Sequence, residues 1–112
     1  MLPKKHRLSK TADVNLTTAK GRSFFSQSFL IKFLNQAGLD QPKITVITSV
    51  KVSKSAVTRN RLRRIIRQVV HEYIDQIKPG SYVFIVKKTA VPVNSANLRK
   101  EIIIALEKSK MV

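Results

Sequence analysis

The 112-residue sequence predicts a single α+β domain, a sandwich of a mixed sheet and helices in the order α-β-β-β-α-β-α. Three observations lead there. Residues 57–77 repeat apolar side chains with the period of a helix, residues 23–34 and 44–50 are dense in Phe and β-branched residues, and the segments after Pro79-Gly80 and after Pro92 supply one more strand and one more helix. A chain of this length builds one core and leaves no room for two.

Residues 1–8 form a basic arm, and Ser9 or Thr11 offers a cap for a short helix over residues 11–19 that ends near Gly21, a C-cap glycine. In residues 23–34, SFFSQSFLIKFL, the Phe and branched residues favour extended structure, with a kink at residues 26–28 dividing two short strands. Residues 35–42, NQAGLDQP, are rich in turn formers, and ITVITSV at 44–50 is β-branched at nearly every position, so the flanking strands are expected to pair as a hairpin with a long loop. The long helix of residues 57–77 carries Leu62, Ile65, Ile66, Val69, Val70, Tyr73, Ile74 and Ile77 on one stripe, capped by Ser53 or Ser55 and stopped by Pro79-Gly80. SYVFIVKK follows as a strand. Asn94 or Ser95 caps the last helix, whose buried face holds Leu98, Ile102, Ala105 and Leu106 while Lys100, Glu101, Glu107 and Lys108 mix signs on a solvated face.

Charge narrows the function. Lys and Arg total 22 against 6 Asp and Glu, a net +16, and the pI of about 10.9 points to a polyanionic partner. At 43% hydrophobic residues the chain is a folded domain and not a basic tail. Without Cys there is no disulfide, thiolate nucleophile or Cys-based zinc site, and His6 and His71 with six scattered acids supply neither a metal cluster nor a proton-transfer pair for cleavage by the protein itself. The longest apolar runs are five residues, short of a membrane span, which predicts a soluble cytoplasmic protein.

Between Asp40 and Glu72 there is no acid, yet Lys43, Lys51, Lys54, Arg59, Arg61, Arg63, Arg64 and Arg67 fall in that interval. On a helix Arg59, Arg63 and Arg67 make one row at i, i+4 and i+8, flanked by Arg61 and Arg64, on the side away from the apolar stripe. Like charges at this spacing repel, and a phosphate backbone removes that repulsion. The guanidinium fork suits phosphate bidentately or stacks on a base, which a Lys point charge does not. Asn60, able to donate and accept, suits a sugar hydroxyl or a base edge.

The stretch KVSKSAVTRNRLRRIIRQVV, residues 51–70, resembles the signature of the bacterial ribonuclease P protein component, whose hallmark is an R-N-R core followed by basic and aliphatic residues in helical register. The outline extends along the chain: the K-K-H-R-L arm, Gly21, F-L-I-K-F-L, I-T-V-I-T-S-V, then P-G-S-Y-V-F-I-V and a closing helix. The resemblance implies a ribosomal-protein-type sandwich with a left-handed β-α-β crossover. It implies a subunit of an endoribonuclease whose catalytic RNA, using Mg²⁺ held by RNA and substrate, hydrolyses the phosphodiester bond at the 5′ end of precursor tRNA. The protein contributes no catalytic side chain and no metal ligand in this reading. Lys51, Lys54, Arg59, Asn60, Arg61, Arg63, Arg64 and Arg67 would contact the catalytic RNA, and a cleft between the first helix and the sheet would hold the single-stranded 5′ leader, with Phe24, Phe25 and Lys32 as its candidate residues.

Two departures stand out. Family members commonly carry D-F with a second aromatic one turn on in the first helix, whereas this chain has Asp13-Val14 followed by Leu16-Thr17-Thr18, so either leader affinity is weaker or Phe24, Phe25, Phe29 and Phe33 supply the stacking surface instead. Strands this hydrophobic bury at least one face, so most of those rings are expected in the core. Lys32 either reaches a leader phosphate or faces water. The loop before the R-N-R helix lacks the usual Gly, with Lys54 and Ser55 standing there. The competing reading is a ribosomal-type structural RNA-binding protein with no role in tRNA cleavage. A DNA-binding helix in a major groove and a membrane-surface helix are the more distant ones; neither DNA nor membrane is the expected partner.

Overall fold

A computed structural model describes residues 6, 8, 11–35 and 41–108 of the chain. Its elements run α1 (Thr11–Lys20), β1 (Arg22–Phe25), β2 (Phe29–Leu34), β3 (Pro42–Ile47), α2 (Ala56–Glu72), β4 (Gly80–Val86) and α3 (Ser95–Lys108), with short 3₁₀ turns at Ile74–Gln76 and Lys88–Ala90. The expected order α-β-β-β-α-β-α is the observed one.

The sheet has the strand order β1-β2-β4-β3. β4 pairs antiparallel with β2 and parallel with β3, so β2 and β3 are not the hairpin their sequence proximity suggests. The reason lies in β4 itself. Six of its seven residues are buried, and a strand hidden on both faces belongs at the centre of a sheet, where it separates the two strands that precede it in the chain. β3 also ends sooner than its β-branched run, because its ladder with β4 closes at Ile47↔Ile85 and the Val52 N–H turns back to the Ser49 carbonyl at 3.0 Å.

One face of the sheet, presenting Phe29, Ile31, Ile44, Val46, Tyr82, Phe84 and Val86, forms the main core with Leu62, Ile66, Val69 and Val70 of α2 and Leu98, Ile102, Ala105 and Leu106 of α3. The stripe on α2 is the predicted one, although the α-helix ends at Glu72. The chain then tightens into the 3₁₀ turn, through which Ile77 still reaches the core ahead of Pro79-Gly80. Ser55 caps α2, its hydroxyl accepting from the Thr58 N–H at 3.2 Å, and the Asn94 side chain accepts from the Asn97 N–H at the start of α3.

α1 lies on the other face, against β2 and β4, where Thr17, Ser81 and Val83 are fully buried. Gly21 closes it by close approach rather than by a left-handed turn: an added Cβ would stand 2.4 Å from the Thr17 carbonyl oxygen and 2.7 Å from that of Phe33. Within the expected basic arm, His6 and Leu8 are buried against the outer edge of β3, with His6 Nδ1 2.9 Å from the Pro42 oxygen and the Leu8 N–H donating to the Ile44 oxygen at 2.9 Å. The rest of the arm, the Ser9 cap, the Thr11 side chain and residues 36–40 of the predicted loop lie outside the described residues.

Candidate nucleic-acid interface

Because β3 and β4 are parallel neighbours joined through α2, the helix starts at the carboxyl end of β3 and ends at the amino end of β4. Its first turns, which carry Arg59, Asn60, Arg61, Arg63 and Arg64, therefore sit at the carboxyl end of the sheet. The helical period that buries Leu62, Ile66, Val69 and Val70 leaves Asn60, Arg61 and Arg64 exposed and Arg59, Arg63 and Arg67 half-buried at the flanks. Lys51 and Lys54 are exposed on the loop leading into the helix.

These arginines are not equivalent. Arg59 Nη1 donates to the Ser53 carbonyl at 2.8 Å, and Arg63 Nη1 donates to the Thr48 hydroxyl at 2.5 Å while its Nη2 donates to the Asn60 amide oxygen. Asn60 thus commits one lone pair of its amide oxygen to Arg63 and keeps its NH₂ donors and its second lone pair for a partner. Among the described residues no carboxylate lies within ion-pair distance of Arg59, Arg61, Arg63 or Arg64. Glu72, at the far end of α2, is engaged instead by Arg99 of α3; that hydrogen bond holds the Glu72 carboxyl below its ordinary range and raises Arg99. The positive field of the first turns is left uncancelled.

The second surface is the α1 side of the sheet. Pleating and register put Phe25, Leu30, Ile85 and Ile47 in one row across all four strands on that side. α1 covers Ser81 and Val83 but leaves this row open: Leu30 and Ile85 are half-buried, Ile47 is 38% exposed and Phe25 69%. Lys32 is half-buried in the adjoining row beside Val83. Lys87, just past β4, holds its ammonium 5.7 Å from the Phe25 ring centroid and donates to the Ser26 carbonyl at 2.7 Å.

Of the three residues expected in the cleft, Phe25 and Lys32 share this face and Phe24 does not. Phe24 pairs with Ile31 and packs against the main core, because adjacent residues of a strand point to opposite sides. Phe29 and Phe33 are likewise on the core side, where Phe33 stacks on Tyr82 at 6.0 Å between centroids. Sequence reasoning missed Lys87, which follows a strand and reads as ordinary surface. It also misread Glu101, whose carboxylate accepts from Ser26 Oγ at 2.5 Å, the Ser28 N–H at 2.7 Å and Ser28 Oγ at 2.8 Å instead of facing water. A signal for Glu101 existed, since it stands three residues after Leu98 and four before Ala105, within the apolar stripe. Among the described residues no three His, Asp or Glu side chains gather as a metal site, and no helix is long and apolar enough to cross a membrane.

An arginine-rich helix start beside an open apolar and cationic shelf is suited to engaging phosphates and unpaired bases at once. Comparison with known proteins agrees on one relationship. The family model described as Ribonuclease P matches residues 2–110. The chain is similar to the ribonuclease P protein component of Listeria welshimeri, 33% identical over 99% of this chain and 93% of that protein, and to that of Bacillus cereus, 32% identical over 98% and 96%. Among solved structures its fold is similar to a Staphylococcus aureus RNase P protein mutant with defective mRNA degradation activity, at a TM-score of 0.92, 23% identity and coverage of 97% of this chain and 92% of that one. The RNase P protein from Thermotoga maritima aligns with a TM-score of 0.80 at 23% identity, covering 91% and 96%.

Proposed function

Since this chain belongs to the ribonuclease P protein family, we propose that it serves as the protein subunit of ribonuclease P, binding a catalytic RNA and the 5′ leader of precursor tRNA and assisting removal of that leader. The observation that carries this reading is the exposed cluster at the start of α2, with Arg61 and Arg64 uncompensated by any described carboxylate. Arg59 and Arg63, braced against Ser53 and Thr48, keep the cluster in one geometry, so less side-chain freedom is lost when phosphates dock. Lys51, Lys54, Asn60 and Arg67 extend the same surface toward the catalytic RNA.

The chemistry belongs to the RNA. In that holoenzyme Mg²⁺ would be held by RNA and substrate and not by this chain's residues, and hydrolysis of the phosphodiester at the leader junction would leave a leader with a free 3′ hydroxyl and a tRNA with a 5′ phosphate. The protein's share is charge neutralisation and positioning: the arginine cluster lowers the repulsion between two polyanions, and the Phe25, Leu30, Ile85 and Ile47 shelf with Lys32 and Lys87 receives the unpaired leader.

Reconstitution tests the proposal. The chain is combined with a bacterial ribonuclease P RNA at low Mg²⁺ and precursor-tRNA turnover is measured. Faster turnover than RNA alone is the expected result, and a rate equal to that of RNA alone overturns it.

A further inference from the structure

A surface that receives unpaired RNA needs somewhere for bases to stack, and α1 carries no aromatic residue at any of its ten positions. The sheet does. Phe25 is the most exposed aromatic among the described residues, and one side of its ring faces the Lys87 ammonium. A Phe left in water on a short edge strand forfeits burial and, on backbone grounds, would be free to sway.

Here it is held from several sides. The turn that follows Phe25 is clamped by the three hydrogen bonds into the Glu101 carboxylate. The Lys87 N–H donates to the Ser28 carbonyl at 2.9 Å, Lys87 Nζ donates to the Ser26 carbonyl, and the Thr89 hydroxyl donates to that of Gln27. Glu101 lies on α3, on the core side of the sheet, so the turn is gripped from the layer opposite the face on which Phe25 projects.

We infer that Phe25 and Lys87 form a single-nucleotide platform for unpaired RNA, on which one base stacks against the open side of the ring while the ammonium meets a neighbouring phosphate, and that Glu101 is the positioning residue that fixes it. The inference rests on the proposed function for the identity of the RNA as leader, and adds the residues that read it. Lys87 spends one of its three N–H donors on Ser26, which aims the ammonium across the ring and leaves donors for phosphate. Stacking is tolerant of base identity, so the platform sets a position in the strand and not a sequence.

The test uses the reconstituted holoenzyme and precursor tRNAs whose leader nucleotides are replaced one at a time by abasic residues. With the unaltered chain, one abasic position is expected to raise KM about 5- to 150-fold while leaving kcat unchanged, the range that base-on-aromatic stacking spans. Phe25→Ala raises KM for the intact leader by a similar factor and makes that position insensitive to base removal. Glu101→Ala, with an unchanged melting profile, gives the same insensitivity, and Glu101→Gln, which keeps one acceptor oxygen, recovers part of the sensitivity. Should Glu101→Ala fail to fold, Ser26→Ala and Ser28→Ala, each removing one hydroxyl donor from the carboxylate, take its place.

Faster turnover than RNA alone combined with a Phe25→Ala abasic profile like that of the unaltered chain overturns the platform and leaves the functional proposal standing. A folded Glu101→Ala protein with the unaltered profile overturns the positioning role. No gain over RNA alone overturns the functional proposal, and the platform is then decided by titrating the full chain with a short unstructured RNA. Fivefold or greater loss in Phe25→Ala supports the platform, and equal affinity overturns it.

Discussion

Arg63 donates to the Thr48 hydroxyl at 2.5 Å, tying the start of α2 to the end of β3 and making one member of the basic cluster a structural brace. Arg59, bonded to the Ser53 carbonyl, is a second brace, whereas the Arg61 and Arg64 side chains are exposed and make no hydrogen bond among the described residues.

This division predicts two kinds of arginine variant. Arg61→Ala combined with Arg64→Ala weakens RNA binding and flattens the dependence of log affinity on log salt by about 1.5, the sum for two lost phosphate contacts, with folding stability within about 0.5 kcal/mol of the parent. Arg63→Ala weakens binding too, but also lowers stability by about 1 kcal/mol through the lost brace. Filter-binding titrations over a salt series together with urea unfolding measure both quantities. An unchanged salt slope in the Arg61/Arg64 double variant would put the RNA contacts elsewhere.

Gly21 supplies the second prediction. A methyl group there would press on the Thr17 and Phe33 carbonyl oxygens, both fixed in backbone hydrogen-bonded elements, so neither gives way cheaply. Gly21→Ala is expected to destabilise by about 1 to 3 kcal/mol, the usual range for overpacking, despite the better helix propensity of Ala. Urea unfolding reads the loss, and a Gly21→Ala midpoint at or above that of the parent would contradict the close approach.

Local periodicity carried much of this fold. The stripes on α2 and α3 and the kink at residues 26–28 are properties of neighbouring residues, and those agree with the structure. What sequence proximity could not convey is which strands pair, since the insertion of β4 between β2 and β3 is decided by how completely β4 is hidden and not by anything in the loop between the other two. The run Tyr82 to Val86 held that information as unbroken apolarity. The candidate site divides in the same way. The arginines of α2 follow from helical spacing, but Phe24 and Phe25 could not both face the cleft, because strand alternation sends adjacent side chains to opposite layers. Glu101 was obscured by residue type: a carboxylate beside Lys100 reads as solvated until Ser26 and Ser28, over 70 residues earlier, are brought to it by the fold.

Tyr82 ties stability to alkaline pH. Its ring is buried and its hydroxyl donates to the Lys78 carbonyl at 2.6 Å, and burial pushes its pKa up from 10 to about 12. The neutral phenol is the form the folded state favours, so this contribution is fully present below pH 10 and is lost as pH rises from 10 toward 12. Tyr82→Phe is expected to lose about 1 kcal/mol at neutral pH with the hydrogen bond, and to decline less steeply than the parent between pH 10 and 12. Urea unfolding at pH 9, 10, 11 and 12 compares the two, and parallel declines would show that Tyr82 does not titrate with unfolding.

The cap of α2 separates what the fold wants from what the partner wants. No acidic residue stands in the first turn of this helix, although a negative charge there would complement the helix dipole, and the capping position is filled by neutral Ser55. Ser55→Asp should therefore preserve the cap and hold or raise stability, since Asp caps as well as Ser and adds a favourable charge at the amino end. The same carboxylate, next in sequence to Lys54 and at the start of the helix that carries Arg59 and Arg61, would cancel part of the field that attracts phosphate, so RNA affinity should fall and the salt slope flatten even as the melting temperature holds. Ser55→Ala is the control: it should lose about 1 kcal/mol of stability with the cap while changing the salt slope little. A Ser55→Asp chain that binds RNA as tightly as the parent, at every salt concentration, would mean that the first turn of α2 does not face the RNA.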